Sequence, residues 1–133
     1  MFTINGTLKS DTKHLVTWDL CQVLLMNDRQ YPWLILVPQR EGLRDLYQLA
    51  DADKPTMTAE IDRATRALVE IHKPDKMNVA SLGNVVPQLH VHVIARFKTD
   101  PAWPRPVWGV KPIQSYSDAE LAETMAALKK VLA

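Results

Sequence analysis

Between residues 14 and 37 the apolar positions come in short, dense runs. Residues 14–18 and 20–26 are rich in Val, Leu and Trp, a composition that favours strands because branched and aromatic side chains pack well on a pleated surface. Asn27-Asp28-Arg29-Gln30-Tyr31-Pro32 breaks the pattern with turn residues, and residues 33–37 resume it until Pro38. Strand, polar turn and strand predict an antiparallel hairpin. The period then changes. Met57, Ile61, Ala64, Leu68 and Ile71 recur at the three- and four-residue steps of an amphipathic helix. Pro55 suits its first turn and Pro74 ends it.

Two further β segments are predicted at 76–82 and 88–96, joined by Gly83-Asn84-Val85-Val86-Pro87. Residues 100–112 hold four prolines and two tryptophans. Regular structure is not expected there, since proline lacks an amide hydrogen and restricts the residue before it. Ser117-Asp118-Ala119-Glu120 has the capping-box spacing of a helix start, and Leu121, Met125, Leu128 and Leu132 give that helix one apolar face. Strands, helix, strands, helix predict an α+β domain with its helices on one side of an antiparallel sheet. The expected organisation is a single domain over 1–133, with a strand-rich core about 14–96, a Trp/Pro loop at 100–112 and a C-terminal helix about 117–132.

Composition narrows the function more than the fold. With 133 residues, 47% hydrophobic and 23% charged, the chain is long enough to bury a core and is not disorder-prone. Sixteen basic against fifteen acidic side chains leave no excess charge for holding a polyanion, so no nucleic-acid partner is expected. Cys21 is the only cysteine; it can form no internal disulfide or cysteine-based zinc site, and within an apolar run it is expected to be buried filler. The first residues show no basic region followed by an apolar run, and the apolar stretches at 23–26 and 34–37 are far short of a membrane span. A cytoplasmic protein without a membrane partner is expected.

Chemistry concentrates in Gln88-Leu89-His90-Val91-His92-Val93-Ile94-Ala95-Arg96. On a strand, Leu89, Val91, Val93 and Ala95 would face the helices. Gln88, His90 and His92 would share the other face, with neighbours roughly 6.5–7 Å apart. Three readings fit two histidines alternating with a core row. They are a structural or exposed pair, two ligands of a metal site that still needs a third, or a nucleophile with a supporting imidazole. Free imidazole titrates near about 6.5, so much of it is unprotonated and nucleophilic at neutral pH.

Gln88-Leu89-His90-Val91-His92-Val93-Ile94 resembles the H-φ-H-φ-H-φ-φ signature (φ apolar) of the histidine triad, or HIT, family, with glutamine at the first triad position. Gly83-Asn84-Val85-Val86 is similar to the Gly-Gln-Ser/Thr-Val run that precedes the family's triad. The resemblance spans roughly residues 15–108 and implies an antiparallel sheet of about five strands with two main helices, commonly a homodimer.

It further implies that His90 attacks the α-phosphorus of a nucleotide to form a nucleotidyl-histidine, which water then cleaves. His92 would hydrogen-bond the phosphate oxygens, and the main-chain carbonyl at position 88 would orient the nucleophile. Asn84 and the amides around Gly83 would add donors, Asn78 falls near a phosphate-contacting asparagine, and Asn27 resembles a ribose-binding position. The implied substrates are purine dinucleoside polyphosphates or nucleoside phosphoramidates, by likeness to the dinucleoside polyphosphate hydrolase branch, with no metal or other cofactor.

The sequence departs from the family pattern in two places. Glutamine at position 88 cannot titrate or carry charge, and Trp33, Leu34 and Ile35 stand where many relatives carry a further histidine. Trp103 and Trp108 are expected either to pack the loop or to form an aromatic wall beside a nucleobase. Trp18 and Trp33 are expected in the core. Arg96, Arg105 and Lys111 are available to distal phosphates, although isolated cations of this kind are most often solvated. The alternatives are a catalytically weak nucleotide-binding module and a metal-binding protein built on His90 and His92.

Overall fold

The dense apolar runs become the centre of a sheet. A computed structural model describes residues 1–133, with elements in the order α1 (Gly6–Asp11), β1 (Thr12–Thr17), β2 (Cys21–Met26), β3 (Trp33–Pro38), a 3-10 turn (Leu46–Gln48), α2 (Asp53–His72), β4 (Lys76–Ala80), β5 (Val91–Arg96) and α3 (Asp118–Leu132). The five strands form one sheet in the order β1-β2-β3-β5-β4, and every adjacent pair is antiparallel. The expected α+β architecture is what is found. The expected strand 88–96 is shorter, beginning at Val91, so that Gln88, Leu89 and His90 belong to the loop entering β5.

Alternation decides which side each residue serves. Leu34 and Leu36 of β3 and Val91, Val93 and Ala95 of β5 face α2 and α3, packing on Met57, Ala64, Leu68, Leu128 and Leu132. Trp33, Ile35, Val37 and Ile94 point the other way, under Leu8 of α1, Tyr31, Ala102 and Val107. β3 and β5 are therefore buried on both faces. For β3 that explains an unbroken apolar run in place of an alternating one.

The helix signals act as read. Ser117 and Glu120 form the capping box of α3. α2 closes on Lys73 in the left-handed region at φ 47°, just before Pro74. Glu60, buried on α2, accepts from the amides of Leu20 at 3.0 Å and Cys21 at 2.8 Å, clamping the helix to the start of β2. The Cys21 thiol lies 3.6 Å from the Met57 sulfur. Burial, with Glu60 beside it, pushes its pKa up, leaving it a core side chain.

One element was not anticipated. α1 has six residues and a single buried apolar side chain, Leu8, too few to show a period. It is fixed locally instead: the Asn5 side chain accepts from the Thr7 amide at 2.9 Å, and the Thr12 hydroxyl donates to the Leu8 carbonyl at 2.6 Å. α1 packs on the face opposite α2 and α3, so the helices are not all on one side of the sheet.

Residues 100–112 carry no helix or strand, yet they are fastened. The Asp100 carboxylate accepts from Arg96 Nε at 2.8 Å and Nη2 at 3.0 Å. It also accepts from the amides of Phe97, Ala102 and Trp103 at 3.0, 3.1 and 2.8 Å. Arg96 Nη1 donates to the Asn78 side chain at 2.8 Å, and the Tyr31 and Trp103 rings flank the guanidinium at 5.7 and 5.8 Å. Arg96 is fully buried and fully engaged, so it is not the phosphate-binding or solvated cation expected from sequence.

Candidate functional site

A cavity of about 430 Å³ opens on the sheet face opposite α2 and α3, within the range usual for small-molecule sites. Met26, Trp33, Ile35 and the rings of His90 and His92 line it from the sheet. Its remaining walls come from Asp28 and from three separate stretches: Thr7, Leu8 and Asp11 of α1, residues 82–86 before β5, and residues between 107 and 113. Gly83, at φ +77°, supplies a turn that a side chain would strain.

The two imidazoles are set differently. The ring centroids of His90 and His92 are 4.9 Å apart at 72°. His90 Nδ1 lies 2.6 Å from the main-chain carbonyl of Gln88. A carbonyl only accepts, so Nδ1 carries a proton, and in the neutral ring Nε2 is the atom with the lone pair. His92 sits within β5, opposite Ile35 of β3 and Ala80 of β4, and its Nδ1 lies 3.0 Å from the indole nitrogen of Trp33. Trp33 is diagonal to His92 across the β3–β5 pair, a separation long side chains span. The Trp108 ring closes on His92 from the rim at 5.0 Å.

Burial first, and the neighbouring His90 second, push the His92 pKa down to about 3. In the unfolded chain the same ring titrates near about 6.5, so between these values the unfolded state binds the extra proton. The contribution of this ring to stability is complete above about pH 6.5 and is lost as pH falls towards about 3, at up to roughly 1.4 kcal/mol per pH unit. His72, lowered by burial, acts in the same direction. Urea midpoints measured from about pH 7 down to about pH 4 are expected to fall, with a shallower slope in His92→Phe.

The structure brings together at the cavity His90, His92, Gly83, Asn84 and Trp108. It does not bring the other expected residues there. Asn27 accepts through its side chain from the Tyr116 amide at 3.0 Å, tying down the approach to α3. Asn78 and Trp103 belong to the Arg96 cluster.

Gln88 reaches the site only through its carbonyl. Its side chain turns to the N-terminal segment, donating to the Thr3 carbonyl and accepting from the Asn5 amide, both at 2.8 Å. Gln88→Ala should therefore leave His90 oriented while costing about 1–2 kcal/mol for the two lost hydrogen bonds. Faster hydrogen exchange at the amides of Asn5 and Thr7, with a lower urea midpoint, would report it.

Trp33 and Asp28 are lining residues with polar groups that were not assigned to a site from sequence. Trp33, read as core, is buried but also holds His92. Asp28 lines the cavity while accepting from the Gln30 amide and side chain, both at 3.0 Å. Of the three cations read from sequence as available to distal phosphates, Lys111 alone lines the cavity. Only Trp33 had a usable signal, the period-two register that puts it on the face of His92.

No group of three or more His, Cys, Asp or Glu side chains is disposed to hold a metal ion. Both histidine Nδ1 atoms already have partners, so only the Nε2 atoms are open to the cavity.

The family model of the HIT domain matches residues 7–99, and no curated protein matches the chain. Among solved structures, a histidine triad protein from Marinobacter aquaeolei VT8 is 44% identical with a TM-score of 0.96, over 99% of this chain and 96% of that one. A histidine triad protein from Bradyrhizobium japonicum is 42% identical with a TM-score of 0.96, over 99% and 98%. One from Sinorhizobium meliloti 1021 is 40% identical with a TM-score of 0.95, also over 99% and 98%.

Proposed function

The chain belongs to the histidine triad family, and from that premise we propose that it is a nucleotide hydrolase or nucleotidyl transferase in which His90 is the nucleophile and His92 a hydrogen-bond donor to the phosphate. Family members bind nucleotides and are generally hydrolases or transferases; some only bind. The observation that carries the enzymatic reading is the 2.6 Å contact of His90 Nδ1 with the Gln88 carbonyl, which leaves Nε2 as a lone pair beside a nucleotide-sized cavity.

In the first half-reaction the His90 Nε2 lone pair forms a bond to the α-phosphorus, and the bond to the leaving group breaks with its electron pair. In the second, water attacks phosphorus and gives up a proton to solvent, the P–N bond breaks with its electron pair returning to Nε2, and a nucleoside monophosphate and free His90 are released. His92, kept neutral by burial, donates a hydrogen bond to the phosphoryl oxygens as charge develops there. Gly83 and Asn84 stand at the same mouth, where the loop amides and the Asn84 side chain add donors. Trp108, 36% exposed at the rim, offers a face to the base.

Purine dinucleoside polyphosphates are favoured over nucleoside phosphoramidates. A polyphosphate leaves as an anion and needs no proton, whereas an amine does, and a neutral His92 is a poor acid. A homodimer is part of the proposal; β4, at the edge of the sheet with Val79 exposed, supports pairing between copies. So is a cytoplasmic setting, where Cys21 stays a thiol.

A product assay across diadenosine polyphosphates and adenosine phosphoramidate tests the reading, together with mass analysis for an acid-labile nucleotidyl adduct. Monophosphate release with an adduct on His90 supports it. Tight binding without adduct or product favours the second reading, a nucleotide-binding module. That reading draws on the Gln88 side chain, which places no titratable group at the first triad position.

A further inference from the structure

We propose that Trp33 is a positioning residue, whose indole N–H fixes His92 in a single tautomer so that the two imidazoles offer complementary atoms, a lone pair from His90 and a proton from His92, to one phosphoryl group. The proposal deepens the nucleotidyl-transfer reading and rests on it.

The argument needs only donor and acceptor inventories. An indole nitrogen donates and never accepts. With Trp33 Nε1 at 3.0 Å from His92 Nδ1, Nδ1 has to be the acceptor, and the ring proton has to sit on Nε2. An imidazolium, or the other neutral tautomer, would set two N–H groups against each other in a buried place, a loss of the kind that follows when a polar group is left unpaired. His90 is the mirror case. Its Nδ1 faces an acceptor, the Gln88 carbonyl, at 2.6 Å, so Nδ1 is protonated and the neutral ring carries its lone pair on Nε2. One ring is set by a donor and the other by an acceptor, and the two Nε2 atoms differ in consequence.

Packing holds the arrangement. The His92 ring has Trp33 at 5.7 Å, Trp108 at 5.0 Å and His90 at 4.9 Å between centroids. A half-turn of the imidazole would replace Nδ1 by a carbon and break the Trp33 bond. The indole is itself steadied by Tyr31, edge-on at 6.3 Å, and by its place on β3 opposite Ile94.

The test is read in two ways on the full chain. Long-range 15N–1H spectra of histidine-labelled wild-type protein should show His92 with Nδ1 unprotonated and Nε2 protonated at neutral pH. In Trp33→Phe, which keeps an aromatic filler and removes the N–H, the His92 Nδ1 signal should move towards the protonated range. Turnover in that variant should fall by about tenfold in kcat, with KM changed by less than about twofold. A wild-type spectrum with the proton on Nδ1 would overturn the proposal without any variant, as would a Trp33→Phe protein with an unchanged His92 spectrum and unchanged kcat. A chain that shows the Nε2–H tautomer but forms no adduct on His90 supports the hold of Trp33 on His92 and overturns only the transfer reading.

Discussion

With His90 as the nucleophile proposed above, His90→Ala or His90→Gly is expected to lower turnover by about 10⁴-fold or more, because no other lining group offers an imidazole lone pair to the cavity. Cys21 is buried on the far side of the sheet. Of the other lining groups, Asp28 is engaged by Gln30 and Gln114, His92 accepts from Trp33 through Nδ1, and Thr7, Asp11 and Lys111 belong to the outer walls rather than to the segment that carries the histidines. The covalent adduct should vanish with the activity. His92→Ala should do less, about a hundredfold, since it removes one stabilising donor and leaves the attacking atom. Single-turnover mixing with a labelled diadenosine polyphosphate separates the two: no labelled protein for His90→Ala, slowed labelling for His92→Ala. Full activity in His90→Ala would end the assignment.

The second large effect concerns stability. Asp100→Ala removes five hydrogen bonds at once and leaves the Arg96 guanidinium buried without its counter-charge. The two side chains are 2% and 4% exposed, so water cannot take the place of the carboxylate. Breaking a buried pair from one side costs about 3–5 kcal/mol, a large part of the stability of a chain this size. Urea unfolding should show that loss as a lower midpoint, whereas replacing both members, Arg96→Met with Asp100→Leu, should recover much of it. A loss under about 1 kcal/mol for Asp100→Ala would mean that the site reorganises around the arginine.

Strands and the two long helices were legible because their signals are local and repeated: period two in β5, three- and four-residue steps in α2, a capping box at α3. α1 was not, since a six-residue helix held by Asn5 and Thr12 leaves no periodic trace. For the site, the histidine strand pointed to His90 and His92, and the glycine turn before it to Gly83 and Asn84. Asn27, Asn78 and Trp103 were drawn in by nearness in sequence or by family likeness, yet their polar groups or rings face Tyr116, Arg96 and Asp100. Gln88 and Trp33 show the limit most clearly. Whether a glutamine aims its side chain or only its carbonyl at a pocket, and whether a core indole also holds an imidazole, depends on contacts between residues 59 to 85 positions apart, which periodicity does not encode.

The pocket has a rigid bed and replaceable sides. The two histidines rest on or beside β5, while the enclosing surfaces belong mainly to the first dozen residues, the turn ahead of the last strand and the proline-rich stretch behind it. Exchanging the α1 segment for that of a relative would retune which molecule is admitted without touching the contacts that set the two imidazoles, whereas the stretch that carries Trp108 also packs on His92 and ties selectivity to the histidine geometry.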